Sequence, residues 1–499
     1  MSLLKSKSIV SMNSDIRNLE PSALWNHFSD LNAVPRPSKK EERVIQFMVD
    51  FGNHLQLKTF VDKVGNVIIK KPATAGMEDR KTIVMQSHLD MVHQKNSDTV
   101  FDFDTEGIKM IIDNDWVKAD GTTLGADNGL GVATIMAILS STDIAHPAIE
   151  ALFTIDEETG MTGAMGLEGG LLEGEILLNL DTEEDDEIDI GCAGGIDVTA
   201  TRTYTSIETP EKSIAFKVSV TGLNGGHSGM DIHKGLGNAN KIMNRLLYNG
   251  FEHFGMRIAT LDGGSLRNAI PRESFAVITI DEISKEPFLF EIIELISTIK
   301  EEFTAIESNL SIEIEPTELP KHVLELGIQE GLIKSVYGAL NGVYKMSVDM
   351  DDLVETSNNI ARVIVKDGTI TIGCLTRSSS ESSKYDLANS LKSTFELAGF
   401  EVEFSGSYPG WQPNVGSEIL DVLSHLYEQL HGEKANVVAC HAGLECGILG
   451  QNYPEMDMIS FGPTILGAHS PDERVSISSV MKFWKFVLEI LKNIPKKSN

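Results

Sequence analysis

Lys81-Thr82-Ile83-Val84-Met85-Gln86-Ser87 is a short apolar run closed directly by His88-Leu89-Asp90, and its surroundings decide the fold. Before it lie an amphipathic helical stretch near Glu41 to His54 and an apolar run at Val67 to Lys70. After it come a helical stretch near Gly129 to Ser140 and apolar runs at Ile149 to Ile155 and Glu175 to Leu180. Strands separated by helices predict an α/β fold with a mostly parallel central sheet. Such sheets bind ligands beyond the carboxyl ends of their strands. His88, the acids Asp156-Glu157-Glu158 and Asp181 all stand at such ends.

Beyond about Thr205 the pattern becomes strand (Ser213 to Thr221), helix (Asn238 to Tyr248), two strands within Arg257 to Ile280, helix (Phe288 to Ala305) and strand (Leu310 to Pro316). This is one β-α-β-β-α-β unit. A second round runs from Val323 to Ser405, with a helix, two strands near Ile360 to Leu375, a helix near Leu387 to Leu397 and a final strand. Arg267-Asn268-Ala269-Ile270 and Ser357-Asn358-Asn359-Ile360 hold comparable positions in the two rounds, which predicts a duplicated α+β insertion. Pro409-Gly410-Trp411-Gln412-Pro413 marks the return to the first domain, which closes with a helix at Ser417 to Leu430, strands near Asn436 to Cys440 and Met456 to Gly462, and a helix at Ser479 to Lys492. The expected division is a first domain over 1–204 and 409–499, interrupted by an inserted domain over 205–408. A chain of 499 residues exceeds the roughly 250–300 at which one core stops growing, so two domains are expected on length alone. The acidic run Asp181 to Asp189 reads as an exposed loop.

A net charge of -31 without a basic patch argues against nucleic acid and anionic membrane surfaces as partners. No apolar run approaches the roughly 20 residues that span a bilayer. The first dozen residues hold two lysines, no continuous apolar segment and no small-residue cleavage site, so no signal peptide is read there. Four cysteines in so long a chain imply reduced thiols rather than a disulfide framework. A cytoplasmic protein is expected.

Each candidate residue taken singly has a plain structural use. His88-x-Asp90 places two side chains on one side of an extended backbone, where the carboxylate can orient the imidazole toward a metal or simply hydrogen-bond it. Asp127, in Gly125-Ala126-Asp127-Asn128-Gly129-Leu130-Gly131, suits a helix N-cap. Glu157 and Glu158 could be a solvated rim, or one could bind a metal while the other takes a proton from metal-bound water. Asp181 is the member of its acidic run best placed to face inward. His469 sits in a loop after Gly467-Ala468. Together these five ligands, His88, Asp127, Glu158, Asp181 and His469, suit two zinc ions.

In this order, Ser87-His88-Leu89-Asp90-Met91-Val92, Asp156-Glu157-Glu158-Thr159-Gly160, Asn179-Leu180-Asp181-Thr182-Glu183-Glu184 and His441-Ala442-Gly443-Leu444-Glu445-Cys446-Gly447 resemble the metallopeptidase family of carnosinases, aminoacylases and carboxypeptidase G. The resemblance covers essentially the whole chain and is greatest to the Xaa-His (aminoacylhistidine) dipeptidase branch, peptidase D. It implies a zinc-peptidase catalytic domain and an inserted lid. One zinc would rest on His88 and Asp181, a second on Glu158 and His469, with Asp127 bridging both; cobalt or manganese are the other divalent ions such a site takes. Asp90 would orient His88, Glu157 would be the general base, and the Asp127-Asn128 peptide would be cis. His227, in Gly225-Gly226-His227-Ser228-Gly229, would stabilise the oxyanion and Asn268 would contact substrate. Arg377 is suited to a bidentate grip on a dipeptide carboxylate.

The activity so implied is hydrolysis of unblocked dipeptides, Xaa-His and β-alanyl-histidine among them. The alternatives on the same scaffold are an N-acyl amino acid deacylase or carboxypeptidase, and a catalytically silent metal-binding protein. Small dipeptides are the expected partners. Relatives with a single lid unit borrow lid groups from a second subunit, which a duplicated lid would supply within one chain; a homodimer stays open. Cys440, His441, Glu445 and Cys446 match no zinc spacing and are read as a structural loop beside the active site.

Overall fold

The deciding run forms a strand, Ile83–His88, buried at every position, in a computed structural model that describes residues 13–497. The reading of the first dozen residues lies outside that range. The strand belongs to an eight-stranded sheet in the order Lys58–Val61, Val67–Lys71, Ile149–Thr154, Ile83–His88, Ile176–Asn179, Asp457–Ser460, Glu187–Cys192, Asn436–Cys440. The four central strands are mutually parallel. The Lys58–Val61 and Val67–Lys71 pair is antiparallel, a hairpin closed by a short turn, so the sheet is mixed. The parallel strands are buried at nearly every position, which selects apolar residues without alternation. In register, His88 lies opposite Thr154 and Gln86 opposite Asn179. The carboxyl ends of three strands therefore finish level, and the chain leaves each of them at one edge.

The helix Ala126–Ser140 is buried almost all round. It approaches the strand ends closely because Gly131 has no side chain; a Cβ there would collide with Asn128 Oδ1, Ser87 Oγ and the Leu180 carbonyl. A small sheet, Met110–Asp113, Trp116–Ala119, Arg474–Ser476 and Ile465–Leu466, was not legible in the sequence, its strands being two to four residues long.

The chain divides into two compact units. The first runs to Gly191 and resumes over Pro413–Ala439 and from Leu444; the second is Cys192–Gln412 with Cys440–Gly443. The first unit thus ends before the 204/205 boundary expected from sequence, because the strand Gly194–Thr203 is hydrogen-bonded along its length to Thr369–Ser378 and Glu401–Tyr408 of the second unit. That strand also completes the duplication. One round is Ser213–Thr221, helix Ala239–Phe254, Arg257–Gly264, Ser274–Asp281, helix Lys285–Phe303, Ser311–Thr317. The other is Gly194–Thr203, helix Leu326–Gly338, Val354–Lys366, Thr369–Ser378, helix Glu381–Leu397, Glu401–Tyr408. Within each round the sheet order is fourth, first, third, second strand, and the two second strands, Arg257–Gly264 and Val354–Lys366, pair back to back. The first round is nested after the opening strand of the other. Alternate residues Ile196, Val198 and Ala200 of that strand are buried in one continuous apolar cluster with Phe216, Phe288 and Phe395.

The acidic run is not wholly an exposed loop. Glu187–Cys192 is a strand, and Asp189 within it is 5% exposed. Asp189 ends a chain of buried polar groups that crosses the sheet. Thr182 Oγ1 lies 2.8 Å from both Asp189 Oδ2 and Ser460 Oγ, the Ser460 hydroxyl donates to Asn179 Oδ1, Asn179 Nδ2 donates to Gln86 Oε1, and Gln86 Nε2 donates to Glu445 Oε2 at 2.6 Å. The Thr182 hydroxyl donates to Asp189 Oδ2 and favours the ionised carboxyl, but burial outweighs it and pushes the Asp189 carboxyl up to about 7. A carboxyl raised in the folded state contributes stability that is present at low pH and lost as pH rises through the folded value. Asp189→Asn, permanently neutral, is expected to gain thermal midpoint relative to the parent between pH 5 and pH 8. A difference that does not change with pH would show that Asp189 does not titrate in this range.

Among the described residues no helix is long and apolar enough to cross a membrane, and the four cysteines form no disulfide.

Candidate metal centre

His88 is the last residue of its strand and is 1% exposed. Its Nδ1 faces Asp90, 3.2 Å from the carbonyl and 3.4 Å from Oδ1. This contact orients Nε2 the other way, where Asp127 Oδ1 lies at 3.1 Å and Asp181 Oδ1 at 3.6 Å. The buried Asp90 carboxylate also accepts from the Glu157 and Glu158 amides at 3.0 and 3.3 Å and from Ser38 Oγ at 2.8 Å. One carboxylate therefore sets both the imidazole and the turn that carries the two glutamates.

That turn begins at Asp156, whose φ of 52° lies in the left-handed region. Asp156 accepts from the Thr159 and Thr162 hydroxyls, so it holds the turn while Glu157 and Glu158 remain available. Asp127 follows Gly125, whose φ of 70° needs no Cβ to accommodate, and the Asp127-Asn128 peptide is cis, as the resemblance implied. Asn128 Nδ2 donates to the Leu180 carbonyl at 2.8 Å and to Asp181 Oδ1. The second oxygen of Asp127 lies 3.1 Å from His469 Nε2, which is also 3.0 Å from Glu158 Oε2. His469 is itself half-exposed.

The fold thus gathers all five candidate ligands, with Asp90 and Glu157, in the first unit. The donor set fits divalent cations. Hydrogen bonds to Asp127 and Glu158 raise the His469 imidazole to about 11. Burial opposes a charge on His88, but Asp181, Asp127 and Asp90 outweigh it and raise it well above its ordinary value. Burial and the neighbouring Asp127 and Glu158 push Asp181 up to about 7, and burial with Asp181, Glu445 and Glu158 raises Glu157 strongly. Asp127 and Asp90 move the other way: burial is outweighed by the two imidazoles at Asp127, which is held well below the carboxylate range, and by His88, Ser38 and the Glu157 amide at Asp90. A buried surplus of acids around two imidazoles is the electrostatic setting of a cation site.

In the second unit His227 and Arg377 also converge, whereas Asn268 meets this segment through its backbone and its side chain is exposed. Arg377, 4% exposed, donates from Nη1 to Tyr408 Oη at 2.8 Å and places Nη2 3.4 Å from His227 Nε2. His227 Nδ1 accepts from the Gly229 and Met230 amides, leaving the proton on Nε2, the tautomer that can donate to an oxyanion. The Asn268 carbonyl accepts from the Ser228 amide at 2.8 Å.

The His441 to Cys446 stretch is not a single loop. His441 belongs to the second unit, 2.9 Å from Ser357 Oγ, and burial with Arg377 and His227 depresses it to about 3. Glu445 opens the helix Glu445–Asn452 in the first unit, where its buried carboxylate accepts from Gln86 and Thr154, each at 2.6 Å. Sequence reasoning passed over Arg36, Ser38 and Glu473. Arg36 and Glu473 are almost wholly buried charges, but nothing in a sequence marks a single arginine or glutamate as buried.

The sequence profile of Peptidase family M20/M25/M40 matches residues 84–493. The chain belongs to this peptidase family. Being an M20 peptidase, it is a hydrolase acting on peptide bonds. It is 43% identical over 485 residues to the cytosol non-specific dipeptidase of Escherichia coli strain K12, covering 97% of this chain and 100% of that one. The crystal structure of aminoacylhistidine dipeptidase from Vibrio alginolyticus superposes with a TM-score of 0.90 at 43% identity, over 97% of this chain and 99% of that one. The Bacillus cereus aminopeptidase PepT shares the fold, with a TM-score of 0.56 at 16% identity over 95% of this chain and 99% of its own.

Proposed function

We propose that this M20 peptidase cleaves unblocked dipeptides, Xaa-His and β-alanyl-histidine among them, with a metal-activated water and Glu157 as general base. The observation that carries the proposal is the placement of Asp127, whose two oxygens face two different imidazoles, each 3.1 Å away. His88 and Asp181 would hold one ion, Glu158 and His469 the other, and Asp127 both. The ions, zinc in this reading, would lower the pKa of a shared water and polarise the scissile carbonyl. Glu157 takes the water proton and passes it to the leaving amine. Asp90 keeps the His88 ring in its ligating orientation. In the second unit, the proposed lid, His227 donates from Nε2 to the oxyanion, Asn268 contacts substrate, and the Arg377 fork holds the C-terminal carboxylate. The Escherichia coli relative, a cytosol non-specific dipeptidase, and the Vibrio aminoacylhistidine dipeptidase support dipeptides as substrates, Xaa-His among them, and the cytosol as the place of action.

A panel of Xaa-His, other dipeptides, dipeptide amides and N-acetyl amino acids tests this on zinc-loaded protein. Unblocked dipeptides are expected to be cleaved and N-acetyl amino acids spared; cleavage of blocked substrates alone would overturn the proposal. Arg377→Lys keeps the charge but loses the planar fork, and is expected to raise KM for free-carboxylate dipeptides about 10–100-fold, the loss of about 1.5–3 kcal/mol of charged hydrogen bonding. KM for dipeptide amides should barely move.

A further inference from the structure

The loop that carries Asp127 is held from two sides by buried charges. Four consecutive amides point at Glu473: its Oε2 accepts from Leu124 at 2.7 Å and Gly125 at 2.9 Å, and its Oε1 from Ala126 at 2.7 Å and Asp127 at 3.3 Å. Glu473 is 2% exposed. On the other side the Gly125 carbonyl accepts from Arg36 Nη2. The same guanidinium, 1% exposed, donates from Nη1 to the Leu89 and Asp90 carbonyls, each at 3.0 Å, and from Nη2 to Asn32 Oδ1 at 3.2 Å. Glu473 also follows His469 by one short turn. One carboxylate and one guanidinium therefore tie together the segments that present His88, Asp127 and His469.

We propose that Glu473 and Arg36 are positioning residues for the bridging carboxylate, fixing the Asp127 loop so that Oδ1 faces His88 and Oδ2 faces His469 before any ion arrives. The inference rests on the reading of Asp127 as a bridge. A buried ion costs several kcal/mol to desolvate, so neither charge is placed here for fold stability alone. Its use is geometric: four amides on two oxygens leave the loop one conformation, and a bridging ligand displaced slightly serves neither ion well. Glutamine cannot replace Glu473, since its amide NH2 would face two N–H donors and leave them without acceptors.

The test is a competitive zinc titration against a chelator on the metal-free full-length protein, for the parent, Glu473→Gln, Arg36→Lys and Asp127→Ala, with kcat and KM measured after loading. Glu473→Gln is expected to weaken binding of both ions about 10–100-fold, and to lower kcat with KM for dipeptide nearly unchanged. Arg36→Lys, which loses the fork, should shift affinity the same way. Parent-like affinity and kcat in Glu473→Gln would overturn the positioning role alone, whereas retention of both ions by Asp127→Ala would overturn the bridging reading beneath it. Should Glu473→Gln fail to fold, hydrogen exchange of the metal-free parent decides. Amides of Leu124 to Asp127 protected like those of Ile83–His88 support the proposal, and exchange as fast as an exposed turn overturns it.

Discussion

Glu157→Gln is expected to lower kcat by about 10²–10⁴-fold while leaving KM and the content of two ions per chain nearly unchanged. The substitution keeps side-chain volume and removes only the ability to take a proton. Nothing else in the site depends on that carboxylate for its shape: the Glu157 amide, which bonds Asp90 Oδ1 at 3.0 Å, survives the change, so the turn and Glu158 stay in place. Burial and the surrounding carboxylates raise Glu157 well above its ordinary value, so its carboxylate takes a proton more readily than a solvated one. Turnover at saturating dipeptide with verified metal content is the measurement. A variant that keeps parent-like kcat would move the base to another group.

Asp127→Ala is expected to lose both ions after dialysis and to have no measurable peptidase activity, whereas His469→Ala should retain about one ion per chain. The asymmetry follows from geometry. Asp127 presents one oxygen toward His88 and the other toward His469, while among the described residues His469 forms ion-pair contacts with Asp127 and Glu158. Removing a shared ligand strips both positions; removing a terminal one leaves His88, Asp127 and Asp181 together. Elemental analysis of the purified variants reads this directly. Equal metal loss in the two variants would mean that the ions bind only as a pair.

The parallel core and the candidate ligands were legible because they depend on local pattern. Ile83–His88, Ile149–Thr154 and Ile176–Asn179 are apolar runs separated by helices, and residues just past such runs must gather at one sheet edge. The two β-α-β-β-α-β rounds were also legible as periodicity. The opening strand of one round was misassigned, since Gly194–Thr203 stands next in sequence to the first unit and pairs with partners some 170 to 210 residues later. Asp189 was read as exposed for a related reason: an acid among acids looks solvated, and only its antiparallel place beside Ser460 buries it.

For this protein, then, the sequence by itself determined the chemistry: which residues can ligate, which can take a proton, and on which segments they lie. Tertiary structure alone decided their aim. That Asp90, two residues from His88, also holds the Glu157–Glu158 turn, that Asp127 divides its oxygens between two imidazoles, and that Glu473 and Arg36 hold its loop all depend on contacts between segments tens to hundreds of residues apart. Hydrogen bonds act over about 3 Å in space whatever their separation along the chain. Local pattern can nominate their donors and acceptors, but only the folded chain pairs them.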